Sequence, residues 1–306
     1  MRAGDVVVLP DYVCGVLLHP LNHLKIEYQF YPVDDTLRPD WAELEKSVKG
    51  SKCRAVLMVN YFGQPQQIER FQGFCSRHGL MLLEDNAHGH GGRWDGRDLG
   101  SFGDIGISSP RKILLTPTGG ILYARSGCVD SNVVRGALDD TVLYRIEFLM
   151  RCFLMYVPPL RTLLRKFMNR RKDWSNLESF KEKQLADQHI DGFSKRRIVS
   201  APWKEIGRKR RNRWQAWQMF TQKGGLIPMF ENVHCESCPW GFPAYAEGIG
   251  ERNKWLKWAA SRGIAAFPWP ALPEAVIQSN ATCVERWNRL LCFDLSQGPP
   301  RGTPHP

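Results

Sequence analysis

Short apolar runs recur through the first 125 residues of this 306-residue chain, alternating with stretches of helical spacing. DVVVLP (5–10), AVLMVN (55–60), LMLLE (80–84), DIGIS (104–108) and ILYA (121–124) are rich in Val, Ile and Leu and bounded by turn residues, which predicts strands. Residues 40–48 and 67–78 carry apolar positions at helical spacing and predict the main helices of this half. Strands that alternate with helices predict βαβ units, so the expected class is α/β with a mostly parallel sheet and helices on both faces. Such sheets meet ligands outside the carboxyl ends of their strands. Residues just past each strand are therefore the first candidates for chemistry.

Beyond residue 125 the pattern changes. Residues 142–157 (VLYRIEFLMRCFLMYV) are strongly apolar, with Arg145, Glu147 and Arg151 interrupting, and their apolar positions follow helical spacing. Pro158 and Pro159 end this run, and LRTLLRKFMNRRK continues it as a basic amphipathic segment. A helix buried against the first domain or a partner subunit is the primary reading. The sharper one lays 142–172 on a membrane surface, apolar on one side and Lys/Arg-rich on the other. From residue 201 regular patterns return, with helices predicted over 205–220 and 251–262. The ending PPRGTPHP is poor in core-forming residues and reads as disordered. The expected organisation is thus a large domain over 1–125, a helical basic connector over 126–200, a smaller α+β domain over 201–297 and a tail over 298–306.

Composition narrows the class. Hydrophobic content of 43% supports sizeable cores in a chain of this length. No apolar run reaches the roughly 20 residues that span a bilayer, and the opening MRAGDVVVLPDY is too short and too polar for a secretory signal, so a cytoplasmic protein is expected. Nine scattered cysteines suggest reduced thiols. His234, Cys235 and Cys238 invite a zinc reading, but no second cysteine pair completes a four-ligand set, and a loop with two free thiols is preferred. The net charge of +11 is concentrated: residues 145–213 hold 19 Lys or Arg against 7 Asp or Glu, a surplus of 12, so the remainder sums to −1. Such a zone attracts anions. No recognisable nucleic-acid module accompanies it, and nucleic acid is not expected as a partner.

The chemistry concentrates between residues 57 and 124. The run GLMLLED ends in Asp85, GSFGDIGISSPRK delivers Lys112, and seven residues later Gly119 and Gly120 open the next strand. An acid at a strand end, a lysine on a following loop and a glycine pair suit pyridoxal phosphate (PLP). The amine condenses with the cofactor aldehyde, the carboxylate keeps the pyridine nitrogen protonated, and glycines let backbone pass close by. Spacing alone does not establish this, since strand-terminal Asp is common and Arg111-Lys112 can be a solvated basic pair. His88 and His90 can likewise be plain loop histidines.

The run from VNYFGQPQQIERF through EDNAHGHGGRWDGRDLGSFGDIGISSPRKILLTPTGGILYA resembles the heart of the DegT/StrS-type aminotransferases, most closely between Glu84 and Gly120. The resemblance implies PLP fold type I, with a mostly parallel large domain and a smaller α+β C-terminal domain. It also implies Asp85 as pyridinium partner, Lys112 as cofactor lysine and proton shuttle, His88 near the ring, and Ser109 at the cofactor phosphate. The implied reaction moves an amino group, plausibly from glutamate, to a keto sugar carried on a nucleotide, in a homodimer whose sites lie between subunits. Relatives that dehydrate sugars have His in place of the lysine, which Lys112 argues against.

This chain also departs from the pattern. The family's large domain begins earlier, with a glycine- and hydroxyl-containing turn whose helix N-terminus holds the phosphate, so the sequence reads as an N-terminally incomplete member. Cys14 stands where an aromatic usually stacks on the ring, Ile206 where an asparagine reaches the phosphate, and Ser296 where a histidine precedes Gln297. The alternative reading is therefore a truncated, non-catalytic relative acting through a partner or membrane surface.

Overall fold

The computed structural model describes residues 1–49, 52–129 and 190–304. The apolar segment 142–157 and its basic continuation to 172, with the membrane-surface reading attached to them, lie outside the described residues. Strands β1 (Val6–Pro10), β2 (Glu27–Tyr31), β3 (Cys53–Val59), β4 (Met81–Asn86), β7 (Ile105–Ser108) and β8 (Ile121–Ala124) form one sheet in the order β2-β1-β3-β4-β7-β8. All neighbours are parallel except β7 and β8. A short hairpin of β5 (Arg93–Trp94) and β6 (Arg97–Asp98) follows β4. The central strands β1 and β3 are almost wholly buried, which is why they read as near-continuous apolar runs.

β2 escaped the sequence reading because EYQFY alternates polar and aromatic residues on an edge strand with one buried position. The helix Trp41–Val48 starts where Asp40 accepts the backbone N–H groups of Ala42 (2.9 Å) and Glu43 (3.2 Å). The helix Ile68–His78 turns Phe71 and Phe74 onto the Trp41 ring, at 4.8 and 5.8 Å between centroids. It stops at Gly79, whose left-handed φ of 64° closes the helix end.

The second sheet is antiparallel, in the order β11 (Ala266–Phe267), β12 (Leu290–Asp294), β10 (Gly241–Tyr245), β9 (Ile227–Pro228). The helices Trp203–Gln222 and Ile249–Ser261 cover it with Trp214, Trp217, Trp255 and Trp258, all buried against Phe293 and Phe242. The main core is not confined to the first sheet. Tyr245, Trp269, Trp287 and Cys292 belong to the same apolar cluster as Val7, Val56 and Phe71. Of the tail read as disordered, Pro304 is buried beside Gly224.

Candidate functional site

Two adjacent acids end β4 and face opposite ways. Glu84, 1% exposed, accepts Asn60 Nδ2 (2.8 Å) and the N–H of Gly100 (2.7 Å) on one oxygen, and the N–H groups of Phe102 (2.7 Å) and Gly103 (3.1 Å) on the other. It thereby fixes the loop that leads into β7 and on to Lys112. The sequence reading passed over Glu84; its signal was a second acid in a strand otherwise fully apolar.

Asp85 sits in register with Val59 and Ile107, across neighbouring strands of the sheet. Its Oδ1 accepts the Ala87 N–H at 2.8 Å, and the side chain is buried. Burial pushes its carboxyl above the usual carboxylate range; the Ala87 N–H and the Lys112 charge pull it back.

Lys112 closes a single 3-10 turn, Pro110–Lys112, that directly follows β7. Its backbone N–H donates to the Ser109 carbonyl at 3.2 Å, and its Nζ lies 5.0 Å from the Trp240 ring centroid. Ser109 is half-buried and precedes the turn without capping it through its side chain. The bonded serine is its neighbour Ser108, whose Oγ lies 2.9 Å from His90 Nδ1.

His88 is enclosed. Its Nδ1 accepts the Phe62 N–H at 3.2 Å, Trp240 covers its ring at 4.4 Å, and Trp269 meets it edge-on at 5.0 Å. Burial, with the Lys112 charge added, holds it well below the ordinary imidazole range, so the ring is neutral at neutral pH. With Nδ1 accepting, the hydrogen-bond pattern assigns the proton to Nε2. Asp85, His88 and Lys112 thus converge, and the second sheet contributes Trp240 and Trp269 to the same place. Neither tryptophan was singled out from the sequence, although PWG and FPWP marked rigid turns.

The glycine pair has a local explanation. Gly119 has φ 123°, and a Cβ there would stand 2.7 Å from Ile198 Cδ1. The adjacent Thr118 hydroxyl donates to Asp191, the N-cap of the helix Gly192–Val199, which locks this loop to that helix. Tyr12, the aromatic nearest Cys14, is wholly buried and donates its hydroxyl to the Trp269 carbonyl at 2.8 Å.

Residues 1–134 match the DegT/DnrJ/EryC1/StrS aminotransferase family. GDP-perosamine synthase of Vibrio cholerae is 22% identical over 308 residues, which covers 93% of this chain and 80% of that protein. The dTDP-4-dehydro-2,3,6-trideoxy-D-glucose 4-aminotransferase of Saccharopolyspora spinosa is 33% identical over 124 residues, covering 40% of this chain and 32% of the relative. That second match spans about a third of the relative's length. Among solved structures, 3-amino-5-hydroxybenzoic acid synthase superposes over 96% of this chain and 75% of its own, with TM-score 0.66 and 16% identity. Helicobacter pylori PseC, an aminotransferase of pseudoaminic acid biosynthesis, gives 0.63 at 14% identity over the same shares. The α/β fold with its mostly parallel sheet is thus the fold of these aminotransferases.

Proposed function

We propose that this chain, whose first 134 residues belong to the DegT/DnrJ/EryC1/StrS aminotransferase family, transfers an amino group from glutamate to a keto sugar carried on a nucleotide, with PLP as cofactor. The relatives named above support the reaction and the sugar class; glutamate as donor rests on the resemblance. The observation that carries the reading is the convergence of Asp85, Lys112 and His88 beyond the ends of β4 and β7.

The donor set fits PLP. Asp85 is a buried carboxylate bonded to one backbone N–H, so a cationic ring N–H is the partner that would hold it ionised. Lys112 supplies the amine. Bound PLP supplies an electron sink for a developing carbanion. Asp85 orients and keeps the ring proton, and its buried position excludes water from that contact. Lys112, on a turn braced by Pro110, is placed to move a proton at the substrate's reacting carbon. His88 is a neutral ring that Phe62 holds in one orientation. Ser109 remains our candidate for a phosphate contact, and the homodimer belongs to the same reading. We divide the chain as the sequence suggests, with the large domain at 1–125 and the smaller at 201–297.

One observation favours a second reading, a relative that keeps Asp85 and Lys112 without holding PLP. Trp240 covers the His88 ring, the surface a cofactor ring would use. Absorbance spectra with added PLP, before and after borohydride, on the wild type and Lys112→Ala separate the two. A visible band that reduction fixes to Lys112, and that the variant lacks, is expected. A folded wild-type chain with no band would favour the second reading.

A further inference from the structure

β3 leaves the sheet through a turn at Tyr61–Gly63 in which Phe62 (φ 54°) and Gly63 (φ 82°) both take the left-handed region. A phenylalanine there is strained, because its Cβ crowds the following carbonyl. At Gly63 no side chain fits at all: a Cβ would stand 2.7 Å from the His88 carbonyl oxygen and 2.9 Å from Pro239 Cα. This turn delivers Gln64. Its Oε1 accepts the His234 N–H at 2.9 Å, which fixes the amide, and its buried Nε2 has no hydrogen-bond partner. A buried donor without an acceptor is rare and calls for an explanation.

Gln64 lines a groove of about 800 Å³, a size usual for small-molecule sites, which Lys112 does not line. Its charged walls balance: Arg38 and Arg70 face it with Glu69 and Glu231. Equal numbers of guanidinium and carboxylate groups offer no net attraction to an anion or a cation. Together they present donors and acceptors side by side, and hydroxyls are the ligand groups that both donate and accept at one atom. The apolar wall is Trp94. Its Nε1 donates to Glu69 at 2.6 Å and its ring lies 4.8 Å from that of His234, so its plane is set in advance. A fixed indole suits the C–H face of a pyranose.

We propose that this groove is a binding site for a neutral, hydroxyl-rich ligand, a saccharide, with Gln64 Nε2, Arg38 and the two glutamates on its hydroxyls and Trp94 against its ring. The site does not depend on the aminotransferase reading, because none of its groups touches Lys112.

The test uses the full chain without cofactor, titrated with methyl α-mannoside, N-acetylglucosamine and cellobiose. Tryptophan fluorescence and saturation-transfer NMR read binding, and inorganic phosphate serves as the competing anion. At least one saccharide is expected to bind saturably, about tenfold more weakly in Arg38→Ala and Trp94→Leu and equally well in Lys112→Ala. Arg38 is exposed and Trp94 half-buried, so both variants should fold, which circular dichroism checks. Three results each overturn the proposal: no saturable binding by any of the three sugars, affinity unchanged in both variants, or displacement by phosphate, which would make this an anion site.

Discussion

Glu84 and Asp85 are neighbours on one strand, yet their environments assign them opposite work. Four donors satisfy Glu84, which therefore belongs to the architecture. Asp85 has one printed side-chain donor, Ala87, and is buried. Its folded pKa lies above the ordinary value, so folding favours the protonated form. That stability is full below the unfolded pKa and is lost as pH rises through the folded one. At neutral pH the ionised group is thus a liability for the cofactor-free chain. Asp85→Asn keeps the acceptor for Ala87 and removes the charge. We expect it to stabilise the cofactor-free protein by about 1 kcal/mol and to abolish PLP binding. Thermal melts and PLP titration check this together; a melting point below wild type, or retained PLP binding, contradicts the assignment of Asp85.

At the scale of elements, the helix Trp203–Gln222 corrects a first impression of charge. Its arginines look like a solvated basic face in the sequence, but three of them are spent inside the fold. Arg210 donates to the carbonyls of Pro239 (2.6 Å) and Trp240 (2.5 Å), Arg211 to Ser237 (2.6 Å) and Arg213 to Leu295 (2.8 Å). Arg210 is 5% exposed, and burial lowers its pKa from the ordinary guanidinium value. Through it, the helix holds the segment that lays Trp240 on His88. Arg210→Met strands two buried carbonyls and is expected to cost about 2–3 kcal/mol. Chemical denaturation measures that loss, and a red shift of tryptophan emission would report a loosened Trp240. An unchanged unfolding midpoint would mean that the clamp is idle.

Across the whole molecule, stability should fall in mild acid. His90 is buried between Ser108 and Trp203, and desolvation pushes its pKa down to about 4; His88 is lowered in the same direction. A depressed histidine contributes stability that is complete above its unfolded value and is lost as pH falls through the folded one. For His90 that window runs from about 6.5 down to about 4, with up to about 3 kcal/mol at stake. Urea midpoints measured from pH 7 to 4 should drop, and His90→Gln should flatten the decline while lowering the starting value. A variant with the wild-type pH slope would remove His90 from this role. Among the described residues no helix is long and apolar enough to cross a membrane.

The sequence alone determined the central strands, the helices around them and the pairing of Asp85 with Lys112. Buried strands must be apolar and contiguous, and a charge at their end must have a purpose. Edge strand β2 was illegible because half of its residues face water, so nothing forces an apolar run. The tertiary structure alone decided what surrounds the acid and the lysine. Trp240 and Trp269 come from turns more than a hundred residues after Lys112, and Gln64 becomes an orphan donor only when His234 arrives to bind its oxygen. Contacts between distant segments leave no period in the chain, since each partner carries only its own half of the interaction.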